Sequence, residues 1–233
     1  MNCDLVVLAP HPDDAEIHAG GLIAAHVRQG LRVAVIDATR GERASRGTPE
    51  ERAREAAQAA GILGLSARIN LGLPDCGLRG DDPDQRHTLV TALRQLRPRT
   101  LITLHGNARH PDHQECARLA AGAAKAAAIH GLLTDAPALP GLRLWYVEAE
   151  LPIPTATLLV PCTIEDWARK MSAIACYGSQ LARNSGPATS ISDPSFVPWI
   201  EARGQAWGQQ AEAPYAEALS GAEAARISNL IPC

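Results

Sequence analysis

The sequence predicts an α/β chain: a single domain built on a mostly parallel, doubly wound sheet with helices on both faces. Three observations predict it. Short apolar runs alternate with helix-length segments from residue 4 to about residue 130. The runs are apolar throughout, as strands covered on both faces are. Each ends in a turn that leads into a helix start, the pitch of repeated strand–helix units.

Asp4 to Ala9 (DLVVLA) is the first strand, and helical spacing then runs from about Asp14 to Gln29 and stops at Gly30. Arg32 to Asp37 (RVAVID) is the second strand. The polar loop from Thr39 to Gly47 leads to a signalled helix start, with Thr48 as N-cap, Pro49 as first helical residue and Glu51 as capping-box partner. That helix passes Glu55 and Ala60 and frays at Gly61 and Gly64. Ala67 to Leu71 is a third strand, and Asp82-Pro83 starts a helix that ends before Pro98. Thr100 to Leu104 (TLITL) is the fourth strand, followed by a helix from His110–His113 to His130. Residues 1–130 form the core carrying the motifs, and residues 131–233 an extension completing the domain. In that extension Arg143 to Glu148 and Thr157 to Val160 read as strands, and Thr163 to Tyr177 and Phe196 to Gln209 as helices. Residues 178–195 read as a long loop.

Composition narrows the function. The formal net charge of −3 is of mixed sign and aromatic residues make up 3% of the chain, which argues against a nucleic-acid surface. No apolar run approaches the roughly twenty residues of a membrane span, and the start lacks a basic leader, so a cytoplasmic protein without membrane contact is expected. Six cysteines are scattered without a C-x-x-C pair and read as free thiols, so any metal must be held by His and carboxylate.

Ligands of open parallel sheets sit outside the carboxyl ends of the strands, where strand order reverses. With the common 3-2-1-4 order, His11-Pro12-Asp13-Asp14 after strand one meets Arg109-His110-Pro111-Asp112-His113 after strand four. A glycine-rich phosphate loop is absent there, so a dinucleotide is not expected. His11, Asp14 and His113 make a two-imidazole, one-carboxylate set suited to catalytic Zn2+ or Fe2+. Asp13 is then free as general base towards water on the ion. His110, as imidazolium, would stabilise an oxyanion or protonate a leaving amine, with Asp112 orienting it. A ferrous oxygenase uses the same ligand types and is the rival of another class, set aside only by analogy of fold. Glu16 is an early-helix acid, and the bland reading of a surface or hydrogen-bonded residue is taken for His18, His26, His87, His105 and His130.

His11-Pro12-Asp13-Asp14-Ala15-Glu16, Thr39-Arg40-Gly41-Glu42 and His110-Pro111-Asp112-His113 together resemble the motifs of the PIG-L/LmbE-like metal-dependent de-N-acetylases. Within that family the chain is most similar to the bacillithiol-biosynthesis deacetylases, which act on N-acetylglucosaminyl-malate. Supporting details are Arg109 before His110, Gly47-Thr48…Arg52…Glu55, and a C-terminal stretch, Lys170…Tyr177…Ser179-Gln180 through Tyr215-Ala216-Glu217-Ala218. The resemblance implies a Rossmann-like fold, the metal and base assignments above, and a small-molecule glycoside substrate. It also implies a homo-oligomer, as hexamers occur among relatives, and arginines on the malate carboxylates, for which Arg52 and Arg109 are the candidates. A thiol S-conjugate amidase, or a deacetylase of another glucosaminyl compound, is the alternative within the family. Leu104-His-Gly-Asn-Ala108 departs from the aromatic residues relatives often carry there.

Overall fold

Strand β1 (Leu5–Ala9) is buried at every position, and its alternate residues feed two cores. Leu5, Val7 and Ala9 pack on one face, Val6 and Leu8 on the other, which is why the run shows no polar alternation. The computed structural model describes residues 2–132, 134–182 and 186–222. In it β1 lies between β2 (Val33–Thr39) and β4 (Thr100–Leu104), both parallel to it. With β3 (Ala67–Leu73), β5 (Arg143–Val147), β6 (Leu158–Cys162) and β7 (Tyr215–Gly221), the sheet runs β3-β2-β1-β4-β5-β7-β6. The expected 3-2-1-4 order is therefore present, and the turns after β1 and β4 open onto one crevice.

Helices α1 (Asp14–Arg28), α2 (Pro49–Leu63) and α5 (Ile164–Ile174) cover one face through Leu22, Ile23, Leu63 and Ala173. Helices α3 (Pro83–Leu96) and α4 (Pro111–Ala126) cover the other through Leu89, Leu93, Leu119 and Ala123. Each fully buried leucine contributes about 1.5–3 kcal/mol. The Thr48 hydroxyl accepts the Glu51 amide at 3.1 Å, so one half of the expected box forms. The reciprocal box forms at α5, between Thr163 and Asp166.

The last third departs from expectation. Strand β7 has no counterpart in the sequence pattern, because Tyr-Ala-Glu-Ala-Leu-Ser-Gly is rich in small residues and poor in β-branched ones. It runs antiparallel to both β5 and β6. Its Glu217 turns inward, accepting the amides of Gly21 at 3.1 Å and Leu22 at 2.7 Å and pairing with Lys170 at 2.6 Å. The expected loop 178–195 contains a short helix, α6 (Gly178–Leu181), before α7 (Phe196–Gln210). No helix among the described residues is long and apolar enough to cross a membrane. Cys3, Cys76, Cys116, Cys162 and Cys176 are free thiols, and Cys233 lies outside the described residues.

Candidate active site

The turn after β1 is strained where the chemistry is expected. Asp13 takes the N-cap position of α1 with φ 127° and ψ −32°, and its side chain caps no amide. A non-glycine residue there costs about 1–3 kcal/mol and is kept where the neighbourhood demands it. The demand comes from Asp14, the first helical residue, whose Oδ2 turns back to accept the His11 amide at 3.0 Å. The same oxygen stands 3.1 Å from His11 Nδ1 and 3.2 Å from His113 Nε2.

These three atoms fit a metal. A tetrahedral ion with bonds of about 2.0–2.1 Å has donor–donor edges of about 3.3–3.4 Å. All three residues are buried, and the other two such groupings among the described residues, His11–His110–Asp112 and Asp75–Cys76–Asp112, each include a less buried member. In those groupings Asp112 is already engaged, accepting the amides of Cys76 at 2.7 Å and Leu78 at 3.3 Å. The outward nitrogens of both imidazoles of this group also meet carboxylates, the arrangement that fixes ring orientation where a histidine holds a metal. His11 Nε2 faces Asp112 Oδ2 and Asp75 Oδ1, each at 3.3 Å. His113 Nδ1 stands 2.9 Å from Glu150 Oε1, off the line of a hydrogen bond.

Without an ion the site stores charge. Burial favours neutral imidazole, but the carboxylates around them outweigh it: His11 is raised well above its ordinary value and His113 to about 9. Asp14 is held well below the carboxylate range by His113 and His11, against the upward push of burial. Asp13 goes the other way, pushed up to about 7 by burial against the attraction of Arg52.

The structure corrects three sequence expectations. Arg52 does not offer its guanidinium to a substrate carboxylate. It is 3% exposed, pairs with Asp13 Oδ2 at 2.9 Å and donates to the Pro12 carbonyl. Gly41 of the Thr39–Glu42 motif makes room for it, since a Cβ there would lie 2.2 Å from Arg52 Nη1. Asp112 orients His110 through its amide, which donates to His110 Nδ1 at 3.2 Å, while its carboxylate serves His11. His110 in turn is not a standing imidazolium: burial and the charges of His11 and His113 lower its pKa. A ring that accepts an amide on Nδ1 at a helix N-terminus carries its proton on Nε2 and is neutral. Its centroid lies 4.9 Å from that of His11 and 5.0 Å from that of His113, so it borders the same cavity. Arg109 is exposed beside it, with no ion-pair partner among the described residues.

Sequence reasoning missed Asp75, Glu150 and His18. Asp75 follows β3, its Oδ2 accepts the Arg43 amide at 2.7 Å, and its own amide is held by Glu42 at 2.8 Å. His18 is the hydrogen-bonded kind of bland histidine, its Nδ1 3.5 Å from Arg203 Nη2, but it is 4% exposed and its Nε2 lies 3.9 Å from Asp14 Oδ1, at the edge of the site. Glu16 is more than an early-helix acid: it pairs with Arg68, which also forks onto Asp37 at 2.8 and 2.9 Å beneath the turn. Replacing Glu150 by Gln keeps the shape beside His113 but removes the charge. Zinc affinity is expected to fall about 10–100-fold, read by competition with a chromogenic chelator. An unchanged affinity would mean that Glu150 does not support the ligand.

Residues 6–124 match the family described as PIG-L: GlcNAc-PI de-N-acetylase. A curated relative, the 1D-myo-inositol 2-acetamido-2-deoxy-alpha-D-glucopyranoside deacetylase of Kribbella flavida, is 30% identical over 171 residues, 56% of each chain. The chain thus spans a little over half the length of the curated relatives it matches. Among solved structures, the conserved protein TT1542 from Thermus thermophilus is 35% identical, with a TM-score of 0.87 over 99% of this chain and 100% of that one. GalB, the 4-carboxy-2-hydroxymuconate hydratase of Pseudomonas putida KT2440, shares the fold at 23% identity, with a TM-score of 0.78 over 99% and 100% of the chains. The matched span covers just over half of the chain and carries His11, Asp13, Asp14 and His113 together, and this chain belongs to the PIG-L, GlcNAc-PI de-N-acetylase, family.

Proposed function

We propose that the chain removes the N-acetyl group from an N-acetylglucosaminyl conjugate, with zinc on His11, Asp14 and His113. The observation that carries this reading is the triangle of His11 Nδ1, Asp14 Oδ2 and His113 Nε2, with the strained and buried Asp13 next to it. A bound zinc ion supplies Lewis acidity, polarising the amide carbonyl and acidifying water. The remaining work falls to side chains of the chain itself. Asp13, as carboxylate, takes a proton from the attacking water on an Oδ atom. The neutral His110 donates its Nε2–H to the carbonyl oxygen as negative charge grows there. The proton held by Asp13 then passes to the amide nitrogen as the C–N bond breaks, leaving a free amine and acetic acid, which ionises to acetate and yields its proton to solvent. This use of His110 needs no imidazolium, consistent with its lowered pKa.

For the far end of the substrate, Arg109 is exposed one residue before His110 and supports an anionic aglycone such as malate. The inositol glycosides of the curated relatives are the second reading. The fold alone does not choose the reaction, since a hydratase shares it. The test incubates zinc-loaded protein with N-acetylglucosaminyl-malate, N-acetylglucosaminyl-inositol and N-acetylglucosamine and measures amine and acetate in equal amounts. Preference for the malate conjugate, lost through a higher KM in Arg109→Ala, is the expected result. Preference for the inositol conjugate overturns malate but keeps the deacetylase. No amine from any of the three, with zinc bound, overturns the deacetylase reading itself.

A further inference from the structure

The opposite edge of the sheet, at the amino ends of the parallel strands, holds a groove of about 320 Å³. Four arginines line it, each placed by an element boundary. Arg32 precedes β2, Arg99 precedes β4, Arg143 opens β5, and Arg97 closes α3. Asp4 is the one carboxylate in the lining, and it is engaged with Arg32, accepting its amide at 2.9 Å and its Nε at 3.4 Å. Arg97 donates to the Pro137 carbonyl at 3.2 Å, which leaves its charge unneutralised. Among the described residues no carboxylate pairs with Arg97, Arg99 or Arg143. Four arginines thus line one concavity against a single carboxylate, Asp4, whose charge Arg32 and Arg99 both feel, in a chain whose net charge is −3. Such a site sets a local field opposite in sign to the whole.

A structural account covers only part of this. Arg97 at the end of α3 opposes the helix dipole, although its φ of 51° and ψ of 50° belong to a position where glycine or asparagine is usual. Arg99 and Arg143 lie at strand starts, where no helix dipole calls for a cation. Both are exposed, so burial does not hold them there. The volume lies at the low end of small-ligand sites. Guanidinium forks match the oxygens of a phosphate, and Leu139 and Pro140 add an apolar wall.

We propose that this groove binds a small phosphate-bearing molecule on Arg97, Arg99 and Arg143, at a site separate from the metal-facing crevice. Its size admits a diphosphate group or a compact nucleotide. Binding there is independent of the amide chemistry, because the parallel strands β1 to β5 stand between the two edges.

The test titrates the zinc-loaded full chain with inorganic phosphate, pyrophosphate and ADP by calorimetry at low salt, with zinc content measured before and after. One equivalent of pyrophosphate is expected to bind, with affinity falling as salt is raised. The double variant Arg99→Ala, Arg143→Ala is expected to weaken binding at least tenfold while its Tm without ligand and its turnover of the amide substrate stay at wild-type values. Equal affinity for ADP and pyrophosphate identifies the diphosphate as the ligand, and tighter ADP identifies a nucleotide. Binding that the double variant retains, or that removes zinc from the protein, overturns the proposal by placing the anion elsewhere. So does the absence of binding by all three compounds at millimolar concentration.

Discussion

Asp13→Asn is expected to lower kcat about 10²–10⁴-fold while zinc stays bound at one equivalent, because the variant removes a general base and no ligand. Asparagine is the informative choice. It tolerates positive φ better than most residues, so the turn survives, and it keeps the size of the group facing Arg52. Metal content and turnover, measured together, separate the roles of the two adjacent carboxylates. Turnover near wild type would place the base elsewhere. The pH profile adds a second check. In the proposed mechanism activity requires the carboxylate form, so the rate should fall as pH drops through the Asp13 pKa, about 7 in the metal-free protein. A divalent ion beside it adds positive charge and moves that limb lower. Arg52 attracts the carboxylate and holds its pKa down, so Arg52→Gln is expected to move the limb to higher pH with a smaller loss on the plateau. An Arg52 that bound substrate would instead raise KM and leave the limb where it was.

Much of this centre is legible without the fold, for a physical reason. The strands β1, β2 and β4 are buried on both faces, so their sequences are plain apolar runs, and every turn after them must open at the carboxyl edge. The same rule could have found Asp75 and Glu150, because both follow parallel strands of the same sheet. Asp75 escapes because the apolar run of β3 ends at Leu71, two residues before the observed Leu73. Glu150 escapes because nothing in its sequence neighbourhood shows that β5 lies beside β4. Arg52 is misplaced for a different reason. A helix arginine near two glutamates looks like a solvated ion pair or a substrate contact. Only the packing of α2 shows its guanidinium passing Gly41 to reach Asp13. The His110 pair inverts in a similar way: spacing suggests a carboxylate behind an imidazolium, whereas the helix N-terminus supplies an amide to a neutral ring. Strand β7 lacks any pattern to read, since its small residues fill a slot that β5 and β6 define.

Loading the metal-free protein with zinc near pH 7 is expected to release protons from both ligand imidazoles. His113, at about 9, and His11, raised well above its ordinary value, are charged in the metal-free protein at that pH, and a metal ligand must be neutral. Calorimetry in buffers of different ionisation enthalpy counts these protons, and apparent affinity should climb with pH until His113 has titrated. The same groups set the stability of the metal-free chain. A histidine raised in the folded state contributes stability that is fully present below its unfolded value near 6.5 and is lost as pH rises through about 9. Asp14, depressed in the folded state, contributes above its unfolded value of 3.8 and loses that contribution as pH falls through its folded one. The metal-free protein should therefore lose Tm progressively between about pH 6.5 and about pH 9, and zinc should reverse the trend by favouring the neutral rings. Asp14→Asn removes the charge that both imidazoles share. Zinc affinity should then fall more than about 100-fold, beyond the range expected for an outer partner such as Glu150. Proton release should fall with it, since the rings lose the anion that kept them charged. A variant that binds zinc tightly and still releases protons as the wild type does would remove Asp14 from the ligand set and pass its place to Asp112 or Asp75, the other two carboxylates that face His11.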